Sequence, residues 1–121
     1  RREGWLQVDT GAPVSLLSAD VCDANGFVEH SRGDVSSPAG GTISVSAGSV
    51  FSIQLDDVEI FAPVVLRHGD AHYFNSIAKP AGRGSVMGLL GLDTLRLMDA
   101  EIDVGQQVIR LGSRAGYSAN R

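Results

Sequence analysis

The sequence predicts an all-β domain with one or two short helices. Three observations carry that expectation. The apolar positions fall in runs of about four to eight residues rich in Val, Ile and Leu, the length and chemistry of strands. Several runs alternate apolar with polar residues, the period of a strand buried on one face. Fifteen glycines, together with Asp and Ser, punctuate the runs as turn residues do. A chain of 121 residues has room for one core, since a domain usually takes about 100–200 residues. The domain is read as 1–112, with 113–121 a polar tail.

Trp5-Leu6-Gln7-Val8 is a strand running into Asp9-Thr10-Gly11-Ala12, and Val14-Ser15-Leu16-Leu17 is a second strand leaving it. Ser18 suits an N-cap with Asp20 in the first turn, so a helix of about two turns runs through Val21, Cys22 and Ala24 to a stop at Asn25-Gly26. Asp34 to Thr42 is poor in apolar residues and holds the adjacent Gly40 and Gly41, which predicts a mobile turn inside a hairpin. Ile43 and Val45 alternate with serines, Ala47-Gly48-Ser49 reads as a turn or bulge, and Phe51, Ile53 and Leu55 share one face. Asp56-Asp57 turns into Val58 to Leu66, where Pro63 marks an edge or a strand end. Arg67 to Ser85, with Gly69, Pro80, Gly82 and Gly84, reads as a long surface loop. Val86 to Gly91 is a buried strand, Asp93 caps a helix over Thr94–Leu97, and Gly105-Gln106 joins Ala100–Val104 to Gln107–Leu111 as a two-residue turn.

Composition excludes several classes of function. Ten Lys plus Arg against fourteen Asp plus Glu leave a net charge of -4, without the clustered basic excess of a nucleic-acid surface. The longest apolar runs, Phe61–Leu66 and Val86–Leu92, fall far short of the roughly 20 residues of a membrane span, so this segment is expected to make no membrane contact. The single Cys22 builds neither a disulfide nor a zinc site, which favours a reducing, cytoplasmic compartment. The start at Arg1-Arg2-Glu3, without Met, suggests an excised or processed piece whose upstream segment held an anchor or targeting signal.

The chemistry centres on Asp9. A carboxylate on a tight turn between two apolar strands is expected to be held at low dielectric, and Gly11 lets the backbone pass close beneath it. Alone, Asp-Thr-Gly reads equally well as ordinary turn chemistry. The second feature is Leu89-Leu90-Gly91-Leu92-Asp93-Thr94-Leu95, an apolar-apolar-Gly strand running straight into a helix. With the Gly-rich hairpin between them, the two motifs resemble the retropepsin family of aspartic proteases. The resemblance spans Gly4 to Leu111 and lies closer to the cellular retroviral-like proteases, of the DNA-damage-inducible-protein type and their bacterial relatives, than to the viral enzymes.

That resemblance implies a retropepsin-like acid protease barrel protomer and an aspartic endopeptidase acting on protein or peptide substrates. Such enzymes use two carboxylates sharing one proton around a water. No other Asp here precedes Thr-Gly or Ser-Gly, so the second Asp9 comes from a symmetry mate in a C2 homodimer. By the same resemblance Thr10 hydrogen-bonds across the dimer and Gly11 permits the turn. Ala12 and the hairpin residues Pro38, Ala39, Gly40 and Gly41 contact substrate, the hairpin Ser36–Thr42 acting as a flap over an extended peptide. No cofactor and no metal are implied. Pro13-Val14 stand where viral members carry acidic residues, which implies more apolar subsites, and Leu92 replaces their Arg at the dimer edge. The alternative is a catalytically inactive retropepsin-fold binding or dimerisation module, suggested by the Pro13-Val14 flank and by the short stretch before Asp9.

Other signals have plainer readings. His68 and His72 are spaced for a metal on a helix, yet they flank Gly69-Asp70 without a third ligand and read as solvated loop histidines. Cys22 reads as a small buried apolar side chain, and Trp5 as core or interface packing. Asp56-Asp57 and Asp99 to Asp103 read as turn and surface charges. The glycines at 82, 84, 88 and 91 lack the following Lys-Ser/Thr of a phosphate loop.

Overall fold

The computed structural model describes residues 3–36, 40–69, 71–78, 86–112 and 117–118. The chain opens with β1 (Trp5–Val8), β2 (Leu16–Ser18), α1 (Ala19–Ala24), β3 (Val28–Ser36) and β4 (Thr42–Ser49). Then come β5 (Ser52–Leu55), β6 (Val58–Phe61), β7 (Val64–His68) and α2 (Ala71–Ala78). It closes with β8 (Val86–Leu90), α3 (Leu92–Leu97), β9 (Glu101–Asp103), β10 (Val108–Arg110) and β11 (Tyr117–Ser118). The fold is mostly β, as composition predicts, but with three short helices rather than one or two.

Six strands form the main sheet in the order β1-β8-β2-β7-β4-β3. β8 runs parallel to β1 and antiparallel to β2, so it lies between two strands that are neighbours in the chain. Gly88 makes this possible: a Cβ there would stand 2.1 Å from the Leu16 carbonyl oxygen. A three-stranded sheet, β11-β6-β5, and a β9–β10 ribbon complete the fold. Tyr117–Ser118, inside the segment read as a tail, pair in parallel with Ile60 and Phe61.

The core forms where the sheets face each other. Leu17, Cys22, Val50, Ile53 and Val65 make one buried cluster, with Leu6, Phe27 and Leu55 packed on it. Ile60, Leu95 and Met98 make a second, covered by Val8, Leu55 and Leu111 among others. Leu6 and Val8, two apart on β1 and so on the same face of the strand, pack against different clusters.

Several expectations are corrected. Strand β2 starts at Leu16 rather than Val14, because the chain ahead of it, at Ala12 and Pro13, bonds to the start of α3 instead of to a strand. Ala47-Gly48-Ser49 is not a turn, since β4 runs through it; the irregularity lies opposite, where the register shifts between Glu29 and Ser31 of β3 against Gly48 and Ala47, and Gly48 leaves room for the Phe27 ring and the Val28 carbonyl. The stretch read as a long loop contains the end of β7 and helix α2, whose Phe74 is buried against Val86. His68 is buried, not solvated: its ring stacks on Tyr73 at 5.0 Å and meets the edge of Phe74 at 5.7 Å. Asp93 is not an N-cap, since Gly91 occupies that position and α3 begins at Leu92. Trp5 is 52% exposed and lies outside the core clusters, which removes the core half of its reading and leaves the interface half standing. The ribbon turn spans residues 104–107 rather than two residues, and the Asp103 carboxylate receives the Gln106 N–H at 3.0 Å.

Other elements agree. The Asp56-Asp57 turn joins β5 to β6 with Leu55 opposite Val58 and Asp56 at φ 57°. Ala62 and the buried Pro63 separate β6 from β7. Helix α1 ends as read, with the Asn25 and Phe27 N–H groups both donating to the Cys22 carbonyl and Gly26 at φ 65°. Ser18 stands at the N-cap but makes no side-chain capping bond. Among the described residues no helix is long and apolar enough to cross a membrane.

Cys22 is fully buried, and burial pushes its thiol up to about 12. In the native protein at neutral pH it is therefore expected to resist a thiol reagent such as DTNB and to react only when urea unfolds the chain. Because the folded pKa lies above the unfolded one, this group's contribution to stability is complete at neutral pH. It declines as pH rises from about 9 through 12, which alkaline urea titrations would register.

Candidate active site

Asp9 follows the last residue of β1, where Val8 sits opposite Leu90 of β8. The next hydrogen bond continues that ladder, with the Asp9 N–H donating to the Leu90 carbonyl at 2.9 Å. The chain then turns sharply. The Ala12 N–H donates to the Asp9 carbonyl at 3.2 Å, and the Gly11 N–H donates to Asp9 Oδ1 at 2.9 Å. A carboxylate that accepts the N–H two residues on fixes its own rotamer and the turn together. Gly11 has no positive φ; its value here is space, since a Cβ would lie 3.2 Å from Asp9 Oδ1. Asp9 is half-buried, while Thr10 and Gly11 are exposed.

The far side of the turn is tied to the start of α3. The Leu92 N–H donates to the Ala12 carbonyl at 2.8 Å and the Asp93 N–H to the Pro13 carbonyl at 3.3 Å. The backbones come this close because Gly91 has no side chain: a Cβ would stand 2.4 Å from the Val14 oxygen and 2.8 Å from the Ala12 oxygen. The two sequence motifs, some eighty residues apart, are thus brought into direct contact.

Under this contact lies a polar cluster that sequence reasoning missed. Ser15 Oγ receives the Gly91 N–H at 2.9 Å, donates to Asp93 Oδ1 at 2.8 Å and lies 2.7 Å from Thr94 Oγ1. Asp93 Oδ1 also accepts the Thr94 N–H at 2.7 Å. Ser15 and Thr94 are buried. The available signal was a hydroxyl interrupting the apolar run Val14-Ser15-Leu16-Leu17, where a buried polar group needs partners.

The remaining site residues lie on another part of the sheet. Gly40 and Gly41, at φ 95° and 80°, are exposed at the tip of the β3–β4 hairpin, whose paired strands reach Ser36 opposite Thr42. Pro38 and Ala39 fall outside the described residues. The elbow belongs to the β1-β8-β2 end of the sheet and the hairpin to the β4-β3 end, with β7 between. Glu29 braces the hairpin: the Ser46 hydroxyl donates to it at 2.5 Å and the Arg32 guanidinium at 3.1 Å, and both hold its carboxyl below the usual range.

Among the described residues no cation pairs with Asp9, and no group of three His, Cys, Asp or Glu could hold a metal. A cavity of about 920 Å³ lies away from Asp9, which is not among its lining residues. It opens between β1 and β5, the terminal strands of two sheets, and is lined by Trp5, Leu6, Phe51, Leu55 and Met87. Its floor is apolar and its rim carries polar residues such as Gln54 and Glu59, whereas the elbow holds a carboxylate in a defined geometry, so the elbow is the candidate for chemistry. Comparison with protein-family models, curated proteins and solved structures finds no match.

Two glycine substitutions separate close packing from ordinary strand geometry. Gly91→Ala meets backbone atoms that cannot give way and is expected to destabilise by about 3 kcal/mol or more, overpacking combined with a broken tie. Gly33→Ala on β3 meets nothing within 4 Å and is expected to stay within about 0.5 kcal/mol of the parent. Urea denaturation of both variants checks the difference.

Proposed function

We propose that the chain is one protomer of a retropepsin-like aspartic endopeptidase, with Asp9 from each of two copies forming the catalytic pair. The observation that carries this reading is the Asp9 carboxylate, held by the Gly11 N–H on an elbow tied to Leu90 behind it and to Leu92 ahead of it. A carboxylate so fixed, half-exposed and without a paired cation among the described residues, suits acid–base work.

One carboxylate cannot do both halves of peptide hydrolysis. In the proposed pair one Asp9 is ionised and takes a proton from the bound water. The other is protonated and hydrogen-bonds the scissile carbonyl as the water oxygen adds to its carbon. The proton taken from water then passes to the amide nitrogen as the C–N bond breaks, and the pair again shares one proton. Thr10, exposed beside Asp9, is the residue for a bond between the two elbows. Pro13 and Val14, both exposed, favour apolar substrate side chains near the elbow. The β3–β4 hairpin, with Gly40 and Gly41 at its tip, is the element suited to cover an extended peptide.

A second reading is a dimerisation module without catalysis. It is favoured by the β9–β10 ribbon, where Ile102, Val104, Val108 and Ile109 are all exposed, a surface suited to association whether or not Asp9 reacts.

Asp9→Asn decides between the two. The variant is expected to keep the parent's circular dichroism and sedimentation while cleavage of a peptide library falls to the uncatalysed background. Undiminished cleavage would sink the proposed chemistry. Cleavage per protomer is also expected to fall on dilution, in step with the dimer fraction measured by sedimentation; a strict monomer that still cleaves would exclude the shared pair.

A further inference from the structure

We propose that the Ser15 hydroxyl is a positioning residue for the Asp9 carboxylate, acting through the Leu90–Gly91 peptide group and held in that role by Asp93 and Thr94. Its catalytic consequence rests on the aspartic-protease reading; its geometric consequence does not.

The Leu90 carbonyl and the Gly91 N–H belong to one planar peptide unit. The carbonyl end accepts the Asp9 N–H at 2.9 Å, and the N–H end donates to Ser15 Oγ at 2.9 Å. The unit is therefore pinned at both ends, by the residue that carries the carboxylate and by the hydroxyl six residues further on. Rotating the plane about its flanking bonds would break both bonds at once. Asp9 in turn fixes its own carboxylate through the Gly11 N–H. The line of constraint runs from the Ser15 hydroxyl to the peptide plane, to the Asp9 backbone and to Oδ1.

Ser15 is 1% exposed and uses the whole bonding capacity of a hydroxyl. Its proton goes to Asp93 Oδ1 at 2.8 Å, which makes Thr94 the donor in the 2.7 Å bond between the two hydroxyls. The second lone pair is then directed at the Gly91 N–H. Asp93 is itself oriented by the Thr94 N–H at 2.7 Å, and Thr94 Oγ1 lies 3.4 Å from the same Oδ1, so both hydroxyls converge on one carboxylate oxygen. Without the Ser15 hydroxyl the Gly91 N–H is a buried donor without an acceptor, and the plane gains a reason to turn.

The test reads kcat, KM and amide hydrogen exchange in the full chain. Ser15→Ala is expected to keep the dimer and a KM within about twofold of the parent while kcat falls roughly tenfold to a hundredfold, the loss typical of a misplaced catalytic group. The Asp9 and Gly11 amides are expected to lose exchange protection by at least about tenfold while the Val45 amide of β4 keeps its own. Thr94→Ser, which retains the hydroxyl, is expected to match the parent, and Thr94→Val to show the same pattern as Ser15→Ala in weaker form. The Thr94 pair carries the test if Ser15→Ala does not fold. An unchanged kcat, or protection lost equally at Asp9 and Val45, would overturn the positioning role. If the parent dimer cleaves no peptide, the protease reading fails, and the amide measurements still decide whether Ser15 positions Asp9: unchanged Asp9 and Gly11 protection in Ser15→Ala overturns the proposal.

Discussion

The insertion of β8 between β1 and β2 is the constraint on which the rest of the structure depends. Strands that are consecutive in a chain usually pair with each other. Here they are held apart by a third, and Gly88 and Gly91 are the two points where side chains would forbid it. The connection from Asp9 to Ser15 must cross the width of a strand, roughly 10 Å from β1 to β2 at the usual spacing. A crossing loop has no ladder of its own to satisfy its backbone. Its carbonyls at Ala12 and Pro13 are met instead by the N–H groups of Leu92 and Asp93, which as the first residues of a helix have no intrahelical acceptor.

That exchange leaves the elbow's backbone hydrogen-bonded on both sides while it lies at the surface. Behind it, Leu6 and Val8 are anchored in two different core clusters, so β1 cannot roll without disturbing both. Ahead of it, α3 puts Leu95 and Met98 against Ile60, so the helix start that receives the loop is fixed to the second sheet as well. Asp9 lies between these anchors, one residue beyond the last inward-facing side chain. Its exposure comes from the strand's alternation and its fixity from what the flanking residues bury.

The local part of this design is legible in the sequence, and the rest is not. β1 can be read to the residue because Trp5 to Val8 ends at an unmistakable turn signal, and the Asp56-Asp57 turn because two residues close a hairpin by local geometry alone. Helix α2 is hidden by its flanks: Gly69 before it and Pro80 to Gly84 after it advertise a loop, while the contacts that fold it come from Val86 and from His68 on another strand. Nor could His68 be read as buried, since its neighbours are set by that helix. The role of Ser15 lay furthest from view. Its partners stand 76 to 79 positions away, and only the close approach at Gly91 makes them neighbours.

A division of labour within the chain follows from these contacts. Among the described residues, the bonds that fix Asp9 are made by residues 9–15 and 90–94 of its own chain. Under the proposed reading, association then has a single chemical task, to set a second, already oriented carboxylate beside the first. Neither elbow needs remodelling on assembly, so the proximity of two like charges would be resisted by preformed backbone bonds rather than relieved by movement. A pair of carboxylates that cannot move apart lowers its energy by keeping one proton between them. Under that reading, the bonds that surround the β8 insertion would be the source of the acid–base asymmetry that two chemically identical aspartates require.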